Sequence, residues 1–210
     1  MTAGSHNRPW LDASLPVDER VELLLREMTV PEKVGQFFHA MISMGEGGEL
    51  SDGNPEFNIA SNHEYVVDRH MSHFNVLGAA PSAGELARWY NNIQELATNT
   101  RLGIPVTIST DPRHSSSENP GAAIFTRAFP QWPEPLGLAA TRDAALVERF
   151  GDIARQEYIA VGIRAALHPQ IDLATEPRWA RQLQTFGEDV ELTSELGAAY
   201  IRGFKGESFG

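Results

Sequence analysis

The chain has 210 residues, 41% hydrophobic and 21% charged, a composition suited to a folded globular domain with a buried core. Lys and Arg number 17 against 28 Asp and Glu, and the formal net charge of −11 repels phosphate at long range, so neither nucleic acid nor an anionic membrane is an expected partner. Cysteine is absent, which excludes disulfides, thiolate zinc sites, iron–sulfur clusters and cysteine nucleophiles.

Residues 1–19, interrupted by Pro9, Asp12, Pro16 and Asp18, lack the apolar run of a signal peptide. No stretch approaches the ~18 consecutive apolar residues of a membrane span. A cytoplasmic location is therefore the expectation.

Val17, Val21, Leu24 and Met28 recur at helical spacing and predict one apolar helix face. Thr29-Val30-Pro31-Glu32 is a capping box with proline inside it, opening a second helix through about Phe38. Residues 44–62, rich in Gly, Ser, Asn and Asp, read as a long loop. Phe74 to Leu77 is a short strand ending at Gly78. Ser82-Ala83-Gly84-Glu85 is a second capping box, and the helix behind it aligns Leu86, Trp89, Tyr90, Ile93, Leu96 and Ala97.

Residues 105–109, Pro-Val-Thr-Ile-Ser, are continuous and β-branched, as in a strand buried on both faces. A second long loop spans 112–135 and carries prolines 112, 120, 130, 133 and 135. Helix follows over 143–161, aligning Val147, Phe150, Ala154, Tyr158 and Val161. Then come a short strand over 164–167 and a helix from Asp189 to about Gly203, aligning Leu192, Leu196, Ala199 and Tyr200. Strands separated by helices predict an α/β fold with parallel pairing through right-handed crossovers, either a doubly wound sheet or a (β/α)8 TIM-type barrel. In both, function sits on the loops after the C-terminal ends of strands. No Gly-x-Gly-x-x-Gly or Gly-x-x-x-x-Gly-Lys-Ser/Thr motif occurs, which disfavours nucleotide binding.

Two segments occupy those loop positions. Thr110-Asp111-Pro112-Arg113-His114 brings a carboxylate, a guanidinium and an imidazole together. Asp111 either accepts two hydrogen bonds from vicinal hydroxyls or belongs to an Asp-Pro turn with Arg113 as a surface charge. His168 to Arg181 is the second. There Arg181 either presents its planar fork to hydroxyls or a carboxylate, or shares a salt-bridged loop in which Asp172 and Glu176 neutralise Arg178 and Arg181.

Several other groups have plainer readings. Glu188-Asp189 are adjacent, too close to flank a glycosidic bond at the ~5–9 Å of an acid/base pair, and suit a helix N-terminus. His70 and His73 lack a third ligand nearby, so no metal site is expected. Ser115-Ser116-Ser117 is a polar loop without a Gly-x-Ser-x-Gly elbow. Trp132, between prolines, is either a loop anchor or a platform for a sugar ring.

Glu176-Pro177-Arg178-Trp179-Ala180-Arg181, Thr185-Phe186-Gly187-Glu188-Asp189, Leu192-Thr193-Ser194-Glu195-Leu196 and Tyr200-Ile201-Arg202-Gly203-Phe204-Lys205-Gly206 together resemble the N-terminal domain of glycoside hydrolase family 3. Met28-Thr29-Val30-Pro31-Glu32-Lys33-Val34-Gly35-Gln36 is similar to that family's opening segment, and Phe129-Pro130 followed by Leu138-Ala139-Ala140-Thr141 is a further landmark. The matches run in family order from about residue 20 to 206. Glu176 stands where the family usually has Asp, and Ala180 where it has Gly.

The resemblance implies the N-terminal part of a (β/α)8 TIM-type barrel, and a β-glucosidase-like activity: retaining hydrolysis of β-D-glucosides or related β-glycosides at the nonreducing end. It implies no cofactor and no metal. By the same resemblance Asp111 and Arg181 bind substrate hydroxyls, with Arg113 and His114 in the same loop as further substrate-binding candidates. The Thr110-Asp111-Pro112 segment is more similar to the β-glucosidase branch than to the N-acetylglucosamine branch.

The resemblance also implies what the chain does not carry. No Lys-His pair and no Ser-Asp-Trp segment occurs. The nucleophile and the acid/base are therefore expected beyond Gly210, no catalytic residue is assigned within the chain, and the isolated chain is expected to be inactive. The expected organisation over 1–210 is leading helices at 1–38, a loop-rich insertion at 39–73, and about three βα units at 74–210, a partial barrel with open strand edges and a tendency to aggregate. The expected partners are a β-glucoside or oligosaccharide and the missing C-terminal part of the same enzyme. The alternative is a non-catalytic carbohydrate-binding or partner fragment.

Overall fold

A computed structural model describes residues 8–79, 82–115, 123–124 and 128–206. The elements run α1 (Val17–Glu27), α2 (Val30–Gly35), β1 (His39–Ser43), β2 (His73–Ala79), α3 (Ala83–Thr98), β3 (Thr107–Thr110), β4 (Ala123–Ile124), α4 (Pro135–Ala140), α5 (Ala144–Ala160), β5 (Ile163–Ala166) and α6 (Val190–Lys205). The sheet order is β1-β2-β3-β5, with β4 pairing β2. The β2–β4 and β3–β5 pairs are parallel, the latter registering Ile108 with Ile163 and Thr110 with Ala166. The fold class is thus α/β, with helices between parallel strands. Among the described residues no helix is long and apolar enough to cross a membrane.

The chain divides into two compact units, Met1–Asn75 with Trp89–Thr107, and Val76–Arg88 with Ile108–Gly210. In the first, the α1 face differs from the expected one. Val17 and Val21 are exposed, while Met28 and the partly buried Leu23 and Leu24 pack with Trp10 and Leu102. Trp10 selects that face. Its indole Nε1 donates to the Leu102 carbonyl at 3.0 Å, and its own carbonyl accepts from Arg20 Nε at 2.8 Å.

The α2 capping box forms as predicted. Thr29 Oγ1 accepts from the Glu32 amide, and Glu32 Oε2 accepts from the Thr29 amide at 2.8 Å. Arg101 adds bonds to both Glu32 oxygens, at 2.9 and 2.6 Å. Bonds from Arg101, then from the Thr29 amide and hydroxyl, outweigh burial and hold the Glu32 carboxyl down at about 2.

The 44–62 stretch is more ordered than its composition suggests. It contains the isolated bridges Met44–Leu50 and Asn54–Ile59 and two 3-10 turns. Fully buried Asn62 pins it: Oδ1 accepts from the Ser51 amide and from Trp89 Nε1, each at 2.9 Å, and Nδ2 donates to the Ser43 carbonyl at 3.0 Å. Trp89, Ile93 and Ala97 are buried as the α3 stripe predicts.

The third strand starts later than its apolar run. Pro105 has no N–H to give, and both backbone groups of Val106 bond the Gln94 side-chain amide, at 2.6 and 3.0 Å, instead of a neighbouring strand.

In the second unit, α4, α5 and α6 share a core of Leu138, Val147, Phe150, Phe186, Leu196 and Tyr200. Asp143 and Asp189 cap α5 and α6, accepting from the Leu146 and Leu192 amides at 3.0 Å. Two glycines let α5 and α6 touch backbone to backbone. A Cβ at Gly203 would stand 2.2 Å from the Glu148 carbonyl oxygen, and one at Gly151 would stand 2.7 Å from that of Tyr200. Neither α4 nor β4 was expected from the sequence; β4 falls within the 112–135 stretch read as loop, and α4 starts at its last proline, Pro135.

Candidate active site: a pocket at the strand ends

Strands β3 and β5 are adjacent and parallel, so the loops after Thr110 and Ala166 leave the same edge of the sheet. The Leu167 amide still bonds the Thr110 carbonyl at 3.0 Å, which keeps the two loops together as they depart. Between them lies a cavity of about 830 Å³, counting its open mouth. Its lining includes Asp111, His114, Glu134, His168, Arg181 and Tyr200.

The structure therefore brings three of the four candidate residues to one pocket: Asp111, His114 and Arg181. Asp111 is half-buried at the exit of β3. Arg181 is exposed at the start of the 3-10 turn Gln182–Gln184, and its Nε donates to Gln184 Oε1 at 3.1 Å. The salt-bridged-loop reading holds for part of the segment: Glu176 pairs with Arg178 at 2.9 Å, whereas Arg181 bonds Gln184.

Arg113 is the exception. Expected at the pocket with Asp111, it is 1% exposed and is not among the lining residues. Its Nε donates to Thr110 Oγ1 at 2.7 Å, Nη1 to the Gly78 carbonyl at 3.1 Å and Nη2 to the Val76 carbonyl at 2.8 Å. Burial lowers its pKa, against the opposing pull of the nearby Asp111 carboxylate and Tyr158 oxygen. With an intrinsic pKa above 12, the guanidinium stays charged. Its side chain fastens the loop to the end of β2, which is why it does not reach the cavity.

His114 is 2% exposed and wedged among Phe129, Phe150 and Tyr158. Burial pulls its pKa down to about 4, so it is neutral at pH 7. Nε2 lies 2.6 Å from Glu157 Oε2. The hydrogen accordingly sits on Nε2 and is donated to the carboxylate, leaving Nδ1 a buried acceptor with no partner among the described residues. Burial raises the pKa of Glu157.

A second set of polar groups escaped the sequence reading. Tyr158 Oη accepts from the Arg113 amide at 3.1 Å and lies 3.2 Å from His168 Nε2, and His168 Nδ1 lies 2.6 Å from Tyr200 Oη. Burial pulls His168 down to about 3, helped in acid by any proton taken up on His114, so at pH 7 it too is neutral. Tyr158 and Tyr200 sat on stripes read as core, and they do pack there. The signal that could have found them is His168 itself, the first residue after the strand that ends near Leu167, beside two tyrosines on flanking helices.

Asp189 and Trp132 keep their plainer readings. Asp189 caps α6. Trp132 packs its ring 5.2 Å from Phe150 against the apolar core, as a loop anchor does. Among the described residues no cluster of three or more His, Asp or Glu is placed to hold a metal ion. Ser116 and Ser117 lie outside the described residues.

A model of the glycosyl hydrolase family 3 N terminal domain matches residues 29–209. Beta-glucosidase C of Emericella nidulans is 54% identical over 196 residues, covering 93% of this chain and 31% of its own length. Probable beta-glucosidase C of Aspergillus flavus is 53% identical over 199 residues, covering 95% and 31%. A periplasmic beta-glucosidase/beta-xylosidase of Dickeya chrysanthemi is 43% identical over 197 residues, covering 94% and 30%. The chain thus spans about a third of the length of these curated relatives.

Among solved structures, a mutant beta-glucosidase from Listeria innocua in complex with laminaribiose superposes with a TM-score of 0.64 at 28% identity, covering 92% of this chain and 24% of its own. A beta-glucoside phosphorylase superposes at 0.71 with 21% identity, covering 91% and 31%, a likeness of fold alone. With these matches running nearly its whole length, the chain belongs to glycosyl hydrolase family 3 and carries sequence of that family's N-terminal domain.

Proposed function

We propose that this chain supplies part of the sugar-binding pocket of a β-glucosidase-like glycoside hydrolase, which hydrolyses β-D-glucosides or related β-glycosides at the nonreducing end with retention. The observation that carries the reading is the meeting of Asp111 and Arg181 in one cavity at the C-terminal ends of parallel strands. A carboxylate offers two acceptor oxygens to neighbouring hydroxyls, and a guanidinium offers a planar fork of donors. Together they orient a pyranose ring by complementary hydrogen bonds.

In the retaining reaction a carboxylate nucleophile attacks the anomeric carbon while a general acid protonates the leaving oxygen, and water then opens the glycosyl-enzyme with that same group acting as base. On this reading both groups come from sequence beyond Gly210. Asp111 and Arg181 hold the sugar so that its binding energy is realised as the anomeric centre reacts. Family membership and the names of the two fungal relatives, beta-glucosidase C and probable beta-glucosidase C, support the substrate class.

The test is the chain offered an aryl β-D-glucoside and, separately, glucose. Saturable glucose binding with no release of the aryl group is expected. Absence of binding overturns the pocket assignment, and robust turnover by these residues overturns the placement of the nucleophile outside them.

A further inference from the structure

We propose that Tyr158, His168 and Tyr200 form a polarised hydrogen-bond relay that presents the Tyr200 hydroxyl as a donor into the pocket, where it binds an oxygen of the sugar. The inference rests on the sugar-pocket reading and adds to it a binding residue, Tyr200, and two positioning residues, Tyr158 and His168.

The relay starts at a group that can only donate. The Arg113 amide points its hydrogen at Tyr158 Oη, 3.1 Å away. In one of the two polarities this allows, Tyr158 donates its own hydrogen to its other neighbour, His168 Nε2 at 3.2 Å. A neutral imidazole with a bare Nε2 carries its hydrogen on Nδ1, and that hydrogen is donated to Tyr200 Oη at 2.6 Å. The Tyr200 hydrogen is therefore turned away from His168, and it has no acceptor among the described residues. Tyr200 lines the cavity, so water or a ligand oxygen is what that hydrogen meets.

The reverse polarity makes the same number of bonds but is electrostatically worse. It would leave the Tyr158 hydrogen without an acceptor within the field of the buried Arg113 cation, and it would turn the Tyr200 hydrogen away from the Glu134 carboxylate. Arg113 acts on Tyr158 ahead of the opposing Asp111 and Glu157 carboxylates and favours its oxygen end, and Glu134 favours the hydrogen end of Tyr200, so the balance of charges favours one direction. Glu134 also lines the cavity and can accept from a sugar hydroxyl where Tyr200 donates to one. That gives the pocket a donor–acceptor pair besides Arg181 and Asp111.

The ring of Tyr200 packs on Phe150, Phe186 and Phe204, so Tyr200→Phe removes only the hydroxyl from a site whose packing remains. The test joins nitrogen-15 NMR of His168 in the full chain to a glucose titration of the wild type and Tyr200→Phe, with each variant's melting temperature recorded. The relay predicts the Nδ1–H tautomer of His168, and a loss of glucose affinity of about three- to ten-fold in Tyr200→Phe, the worth of one neutral hydrogen bond. An Nε2–H tautomer overturns the relay even if no variant folds. Equal glucose affinity in wild type and Tyr200→Phe overturns the donor role. A wild type that binds no glucose overturns the sugar-pocket reading and the donor role with it, while the tautomer still decides the relay's direction.

Discussion

Arg113 Nη2 donates to the carbonyl of Val76 at 2.8 Å, so a residue two positions past Asp111 is tied to the end of a strand more than thirty residues earlier. Asp111 sits between that clamp and the end of β3, and its place at the pocket follows from both. Arg113→Met would leave the Val76 and Gly78 carbonyls and Thr110 Oγ1 without this donor in a site too buried for easy hydration. The expected loss of stability is about 3 kcal/mol or more, read as a fall in the urea unfolding midpoint. Arg113→Lys, with one ammonium in place of a fork, should recover only part of it. A variant as stable as the wild type would show that the clamp is dispensable.

Acid should destabilise the chain in a window set by two neutral histidines. His114, pulled down to about 4, and His168, pulled down to about 3, stay unprotonated in the folded chain after their unfolded counterparts, near 6.5, have charged. Below pH 6.5 the unfolded state binds more protons, so stability falls as pH falls toward 4. For His114 alone the loss by pH 4 is on the order of 3 kcal/mol. Glu157, raised by burial, acts in the opposite sense and offsets part of it. Urea unfolding at pH 7, 6 and 5 should show a steady decline that is shallower in His114→Gln. Stability unchanged from pH 7 to 5 would contradict the neutral, buried assignment.

Glu32 governs a lower window. Its carboxyl, held at about 2 chiefly by Arg101, adds stability above pH 4.5 that is lost as pH falls toward 2. Glu32→Gln keeps the shape of the capping box and removes the charge. It should cost about 1–3 kcal/mol at pH 7, as for a hydrogen bond to a charged group. Arg101→Met should cost a similar amount, and the two losses should not add, because one pair is broken in either case.

Gly203→Ala places a methyl 2.2 Å from the Glu148 carbonyl oxygen and 2.9 Å from Gly151 Cα. Both neighbours are helix backbone and cannot turn aside, so α5 and α6 must separate. The expected cost is about 3 kcal/mol, at the upper end for overpacking, and a lowered melting temperature checks it. A neutral substitution would mean that the helices do not cross as closely as described.

The legible part of the fold is the part governed by local rules. The capping box at Thr29, the Ser82 side-chain bond to the Glu85 amide, the helix start at Asp189 and the α3 stripe through Trp89 and Ile93 read directly, because each depends on residues within a few positions of one another. The missed features depend on distant partners. The face of α1 is chosen by Trp10 and Leu102, the order in 44–62 by Asn62, and the late start of β3 by Gln94.

At the site the pattern repeats. The rule that function follows the strand ends led to Asp111, His114 and Arg181, all of which line the cavity. It placed Arg113 there as well, because nothing local reveals that the Val76 and Gly78 carbonyls lie within reach of its guanidinium. Tyr158 and Tyr200 looked like core because they are core; only their hydroxyls have a second role, and periodicity weighs the ring.

The central claim is that Asp111 binds a sugar. The most direct measurement is a calorimetric titration of glucose into the wild type and Asp111→Asn, which keeps the shape of the side chain and removes its charge. Losing hydrogen bonds to a charged acceptor should weaken binding by about ten-fold or more, with the melting temperature of each protein recorded alongside. Equal affinities in the two proteins would contradict the claim.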